Sequence, residues 1–250
     1  MAAGVNLPRV FSRRRFTGLA NTSRPYAKIL CQITHCPPPA CLRYADSFDH
    51  HLQVLLGYRT PEILHKELLA ASGGPGARFS RCCDLGCGTG LMGVLVRGMV
   101  RHSEGVDLSA GMVDQARQRQ GVYDRLAVGE VVSFLDSERA SPSFQPYDLL
   151  LAADVLVYIS DLGPLFRAAS SAAAPGALFG FSTEKLEEGT QGSGQGYLLR
   201  TTGRYAHLSS YVARVCEDAG WEILRLQTTQ IRKNLGEPVV GDVVLARKKL

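Results

Sequence analysis

Arg81-Cys82-Cys83-Asp84-Leu85-Gly86-Cys87-Gly88-Thr89-Gly90-Leu91 is the stretch on which the fold turns. It reads as a buried strand, a turn with three glycines at alternate positions, and the opening of a helix whose spacing is carried on by Met92, Val94, Leu95 and Val100. Without a Cβ, glycine takes positive φ values and lets the backbone approach a ligand closely. Strand, glycine turn and helix in that order place backbone N–H groups at the mouth of a nucleotide site.

The spacing is G-x-G-x-G with an acid two residues before the first glycine, not the G-x-G-x-x-G of dinucleotide folds. The difference is chemical. A carboxylate beside the loop repels a pyrophosphate, whereas Asp84 suits a ligand with a positive amino group, such as the methionine half of S-adenosylmethionine.

Outward from this loop, strands and helices alternate. Strands are expected at about Phe79–Leu85, Ser103–Asp107, Arg125–Val128, Tyr147–Ala152 and Ala177–Ser182. A helix opens at Ser109 or Ala110, and Val131, Val132 and Phe134 suggest a short helical turn. Another helix carries Leu162, Leu165, Phe166 and Ala169, and a further one spans Ser209–Ala219. Tyr147–Ala152 is continuously apolar apart from Asp148, as expected at the centre of a parallel sheet. Two strands, Trp221–Thr229 and Pro238–Ala246, end the chain with only a turn between them, so they must be antiparallel. The fold class is therefore α/β: a doubly wound, mostly parallel seven-stranded sheet with right-handed crossovers and an antiparallel C-terminal strand pair. Before the first strand, Thr60 is expected to cap a helix with Pro61 at its first position, part of an N-terminal helical cap that begins near Tyr44. Residues 185–208 read as a long polar loop over the active edge, a lid or binding loop.

Four stretches carry polar groups to the C-terminal ends of the strands, where open α/β sheets bind ligands. Gly86, Cys87, Gly88 and Gly90 form the turn beside Asp84. Asp107, ending the second strand, is placed to accept bonds from both ribose hydroxyls; the alternative is an acid at a helix N-terminus. Glu130 and Val131 follow the third strand, and a merely solvated Glu130 is the competing reading. Ala153 and Asp154 follow the fourth strand, with Tyr158 beyond them, whereas Asp148 lies at the other end and reads as structural. Asp154 and His207 are the candidate acid–base groups; the competing readings are that Asp154 only holds its loop and that His207 caps the following helix or hydrogen-bonds at the surface.

From Tyr44 to Arg247 the chain resembles the class I S-adenosylmethionine-dependent methyltransferases of the type 11/12 group. The likeness rests on the glycine motif and on Gly105-Val106-Asp107-Leu108-Ser109-Ala110-Gly111-Met112. The Ala153–Leu162 stretch and Gly203-Arg204-Tyr205-Ala206-His207 are similar to predicted methyltransferases that accompany TPR repeats in bacteria, although no repeat occurs here. The resemblance implies S-adenosylmethionine as cofactor, with Leu108 and Met112 flanking the adenine and Glu130 and the Val131 N–H at its edge. It also implies that Tyr44 and Phe48 lie over the cofactor, and that an unidentified small-molecule or protein acceptor is methylated in line. The rival readings are a non-catalytic cofactor-binding assembly protein and a nicotinamide-linked oxidoreductase.

Charge separates the two ends of the chain. Residues 1–45 hold seven Lys/Arg and no acid, while the remainder carries 21 basic against 23 acidic residues. The near-neutral remainder argues against a nucleic-acid partner. Residues 1–43 read as a disordered basic tail or a transit peptide, mitochondrial more readily than plastid, and residues 44–250 as the methyltransferase domain. Absence of a transit function would leave a cytoplasmic protein. No apolar run reaches the roughly 18 residues of a membrane span. Seven cysteines, an odd number, suit a reducing compartment. Cys31, Cys36 and Cys41 lack the second ligand pair a zinc site needs, so no metal is expected.

Overall fold

A computed structural model describes residues 57–234 and 236–250. The expectations for residues 1–43, for Tyr44 and Phe48, and for Cys31, Cys36 and Cys41 lie outside that range.

The chain enters through α1 (Thr60–Ala71) and then alternates: β1 (Phe79–Leu85), α2 (Leu91–Val96), β2 (Val100–Asp107), α3 (Ala110–Gln118), β3 (Arg125–Val128), α4 (Val131–Arg139), β4 (Tyr147–Ala152), α5 (Gly163–Ala172) and β5 (Ala173–Leu186). A hairpin of β6 (Tyr197–Leu199) and β7 (Tyr205–Leu208), helix α6 (Ser209–Asp218), and the long strands β8 (Trp221–Asn234) and β9 (Glu237–Lys248) complete it. β3, β2, β1, β4 and β5 are parallel neighbours in that order. β9 pairs antiparallel with β5 and with β8, as two strands joined by a short turn must.

Both faces of the sheet are covered, which explains why its strands read as apolar runs. Along β4, Tyr147, Leu150 and Ala152 face the core under α4, α5 and α6, while Leu149 and Leu151 face the core under α1 and α2. β9 divides likewise, with Val244 and Ala246 on the first face and Val243 and Leu245 on the second. Each fully buried Leu or Phe contributes about 1.5–3 kcal/mol. The Trp221 indole N–H, buried under these helices, donates to Phe166 O at 3.1 Å. At the far end of β4, Asp148 accepts from the Ser80 and Arg81 N–H groups at 2.7 and 2.9 Å, a structural link to β1.

Four expectations need correction. Val100, counted with the helix after the glycine turn, instead opens β2 and pairs with Phe79 of β1, because α2 ends at Val96. Residues 185–208 are not one loop. β5 runs on to Leu186, and β7 pairs in parallel with its last residues while β6 pairs with β7, so the sheet has nine strands, the expected seven plus this hairpin. Glycines at 189, 192, 194 and 196 hid the hairpin, and its partner strand is the overhang of β5, which local pattern does not reveal. The short turn after β3 is a nine-residue helix because Glu130 caps it. Thr60 is the first residue of α1 rather than its cap, and its hydroxyl donates to Ile231 O at 3.5 Å.

Candidate functional site

The C-terminal ends of β1, β2, β3 and β4 form one rim. The glycine turn lies at its centre, with Gly86, Gly88 and Gly90 at φ of +70°, +53° and +91°. A Cβ on Gly86 would overlap the Val155 side chain, so Gly86 lets the chain after β4 pack beneath the turn. A Cβ on Gly88 would meet nothing within 4 Å; the space above it is open.

The turn satisfies its own backbone. The Gly86 and Cys87 N–H groups donate to Val106 O at 2.7 and 3.0 Å, and the Gly90 N–H donates to Cys87 O at 2.9 Å. The Gly88 N–H donates to Asp107 Oδ2 at 2.9 Å. These donors are therefore not presented to a ligand, which corrects the expectation of open N–H groups at the mouth. A phosphate cradle needs such donors free. Cys87 is buried where Gly105 has no Cβ, and burial pushes its thiol up, so it is a neutral packing group.

Two carboxylates flank the turn. Asp107 holds Gly88 N–H with Oδ2 and Ser109 N–H with Oδ1, the latter at 2.8 Å. Each ionised oxygen has further lone-pair capacity, so the half-buried group can accept from two ligand hydroxyls while staying fixed. Burial raises its pKa, against which the two N–H groups act. Asp84 is almost fully buried, and the Tyr123 hydroxyl donates to its Oδ2 at 2.6 Å. Burial pushes Asp84 up to about 7, with Asp107 adding to the rise and Tyr123 opposing it.

Around them the expected apolar contacts are divided. Leu108 is 73% exposed beside Asp107, and Val128 at the end of β3 is 55% exposed. Met112 is half-buried, and its N–H donates to the Ser109 hydroxyl, which caps α3. Val131 is buried in the core under α4. Glu130 is neither free nor merely solvated. It accepts from the N–H groups of Val132 and Ser133 at 3.0 and 2.8 Å and from the Ser133 hydroxyl, so it caps α4. Burial opposes its charge, but those bonds prevail and hold its carboxyl low.

Beyond β4, Ala153 O accepts from the Tyr58 hydroxyl at 3.4 Å. Asp154 is the one described non-glycine residue with positive φ, +59°. Its N–H donates to the Ser182 hydroxyl at 2.9 Å, and its carboxylate pairs with Arg232, which also pairs with Glu184. Burial raises the Asp154 carboxyl while Arg232 and Arg204 pull it down. The Arg204 guanidinium stacks over the exposed ring of Tyr158 at 5.9 Å. His207 is fully buried in β7. Its Nε2 lies 3.0 Å from Ile159 O and 3.2 Å from Ser160 O, both acceptors, so that nitrogen carries the proton. Burial lowers its pKa, and the neutral ring stacks on Tyr211. His207 thus braces β7 against the chain before α5, neither a free base nor a helix cap.

Sequence reasoning missed Tyr123, Arg232, Tyr58, Val155 and Gly93. Tyr123 follows a helix in an ordinary turn, and its tie to Asp84 spans 39 residues. A Cβ on Gly93 would overlap the Tyr123 hydroxyl; an isolated glycine inside a helical pattern was the one available signal.

With this geometry in hand, the comparisons are specific. A family model for the methyltransferase domain matches residues 48–226, and the chain belongs to that family. No curated protein matches by sequence. An S-adenosylmethionine-dependent methyltransferase from Clostridium acetobutylicum is similar in structure, with TM-score 0.59 and 17% identity over 83% of this chain and 99% of that one. Magnesium protoporphyrin IX methyltransferase from Synechocystis, solved with bound SAH, gives TM-score 0.54 and 17% identity over 76% and 83%. The [4+2]-cyclase SpnF gives TM-score 0.57 and 18% identity over 76% and 82%. At such identities these structures establish the Rossmann-like fold. Together with the family they support S-adenosylmethionine as the cofactor. The residues of the rim fit it: open space above Gly88, a carboxylate on each side of the turn, and an exposed apolar face at Leu108.

Proposed function

We propose that the protein transfers the methyl group of S-adenosylmethionine in line to a small-molecule or protein acceptor. The observation that carries this reading is the polarity of the turn: its N–H groups at 86, 87, 88 and 90 are spent within the chain, and Asp84 and Asp107 face it. Such a site disfavours a pyrophosphate and favours a cation bearing a ribose. The nicotinamide reading therefore has no support in the family or in the site.

When bound, this cofactor supplies a methyl already activated on a sulfonium, so the protein mainly positions groups and excludes water. Asp107 would take the ribose hydroxyls and Asp84 the amino group. Leu108 and Met112 would offer apolar surface to the adenine, with Glu130 and Val131 near its edge and Ala153 closing the side toward the acceptor. Among the polar groups there, Asp154 is our choice as the acceptor-side residue. His207 stays in the reading only as a support, since its proton is committed to two carbonyls. The decisive experiment is transfer of labelled methyl into extracts of cells lacking the protein, followed by identification of the labelled species. Absence of any labelled product, with cofactor bound, would overturn catalysis.

That outcome would favour the second reading, a cofactor-binding protein without methyl transfer. The engagement of both Asp154 and His207 supports it, and so does the fact that the fold also serves a [4+2]-cyclase. A mitochondrial destination is likewise our proposal, supported by the acid-free, arginine-bearing residues 1–43; imaging of the full chain with a C-terminal tag tests it.

A further inference from the structure

We propose that Tyr123 is a positioning residue for the cofactor: it ties down Oδ2 of Asp84 and so presents the other carboxylate oxygen, Oδ1, to the ligand's amino group. This rests on the reading just given.

The geometry is built for that contact. Tyr123 lies in the segment joining α3 to β3, and its hydroxyl reaches Asp84 at 2.6 Å. The ring passes over α2 where two glycines leave room: a Cβ on Gly93 would overlap the hydroxyl, and one on Gly90 would lie 3.1 Å from the ring edge. From the same segment, the Arg119 Nε–H donates to Thr89 O at 2.7 Å, so one piece of chain holds the turn at two points. A purely space-filling aromatic would not need its hydroxyl threaded past a missing Cβ onto a buried carboxylate.

Burial pushes the phenol up, and the charge of Asp84 raises it further, so Tyr123 remains the donor through the neutral range. Asp107 on β2 is the acid that acts on Asp84, and Asp84 in turn raises Tyr58 before α1 and the thiols of Cys82, Cys83 and Cys87, which stay neutral. No cation among the described residues acts on it. The Tyr123 hydroxyl is therefore the group that favours its charged form. Removing that bond raises the pH at which Asp84 ionises. A cationic amine then loses its partner at neutral pH but regains it in base.

The test is calorimetry of S-adenosylhomocysteine on the full chain and on Tyr123→Phe from pH 6.5 to 8.5, taking the affinity ratio at each pH so that the ligand's own titration cancels. The expected ratio is about tenfold in favour of the unaltered protein at pH 6.5, falling below about threefold at pH 8.5. Asp84→Asn should show no such narrowing between the unaltered and phenylalanine forms of residue 123. A ratio near one at every pH makes Tyr123 a space-filler and overturns the proposal, as does a loss that is the same at every pH with an unchanged melting temperature. If the unaltered protein binds no S-adenosylhomocysteine at all, the cofactor reading itself fails, and that result is seen before any variant is compared.

Discussion

Asp84 carries its charge where the surroundings oppose it. Its folded pKa lies near 7, above the ordinary carboxylate value of about 3.9, so the penalty on folding is absent in acid and grows as pH rises from about 4 to about 7. Asp84→Asn should therefore stabilise the ligand-free protein by about 1–3 kcal/mol at pH 8 and by little at pH 4, while weakening cofactor binding. Urea unfolding at the two pH values checks this, and equal effects at both would refute the assignment. Asp107→Ala removes an acceptor used twice by the backbone at 88 and 109. It should weaken cofactor binding by about 1–3 kcal/mol, and unchanged affinity would show that the ribose is held elsewhere.

Among the elements, two contacts hold the acceptor side of the rim. Arg232 on β8 is buried between Asp154 after β4 and Glu184 on β5. Arg232→Met should cost about 3–5 kcal/mol, because two buried carboxylates lose their partner. The loss should shrink in acid as Asp154, whose carboxyl burial raises, protonates; pH-dependent denaturation distinguishes this from a packing defect. His207 donates its Nε2–H to the carbonyls of Ile159 and Ser160 in either charge state, but protonating its Nδ1, buried without a partner among the described residues, puts a charge inside the fold at a desolvation cost. Its folded pKa lies below the ordinary value of about 6.5, so its contribution is present above that pH and fades as pH falls through it. Hydrogen exchange over residues 197–208 should accelerate at pH 5.5 relative to pH 7.5 after correction for intrinsic rates, and His207→Gln should abolish the difference.

At the scale of the whole molecule, a ligand that binds only the folded chain raises its stability by mass action, about 2.7 kcal/mol at one hundred times the dissociation constant. S-adenosylmethionine should raise the melting temperature accordingly and a nicotinamide dinucleotide should not. Deletion of residues 1–43 should leave that shift intact, since the family match begins at residue 48.

Spacing along the chain determined the sheet core, the glycine turn and the place of Asp107. Each is a local pattern: continuous apolar strands on a sheet covered on both faces, a backbone conformation only glycine adopts readily, or an acid that ends a strand. Only the tertiary structure decided that the N–H groups of Gly86, Cys87 and Gly88 are spent on Val106 and Asp107, that Glu130 is a cap, that residues 197–208 extend the sheet, and that Tyr123 holds Asp84 while Arg232 holds Asp154. Those contacts join residues far apart in sequence or depend on which of several acceptors a donor reaches. Hydrogen-bond partners of that kind follow from packing, which no local pattern encodes.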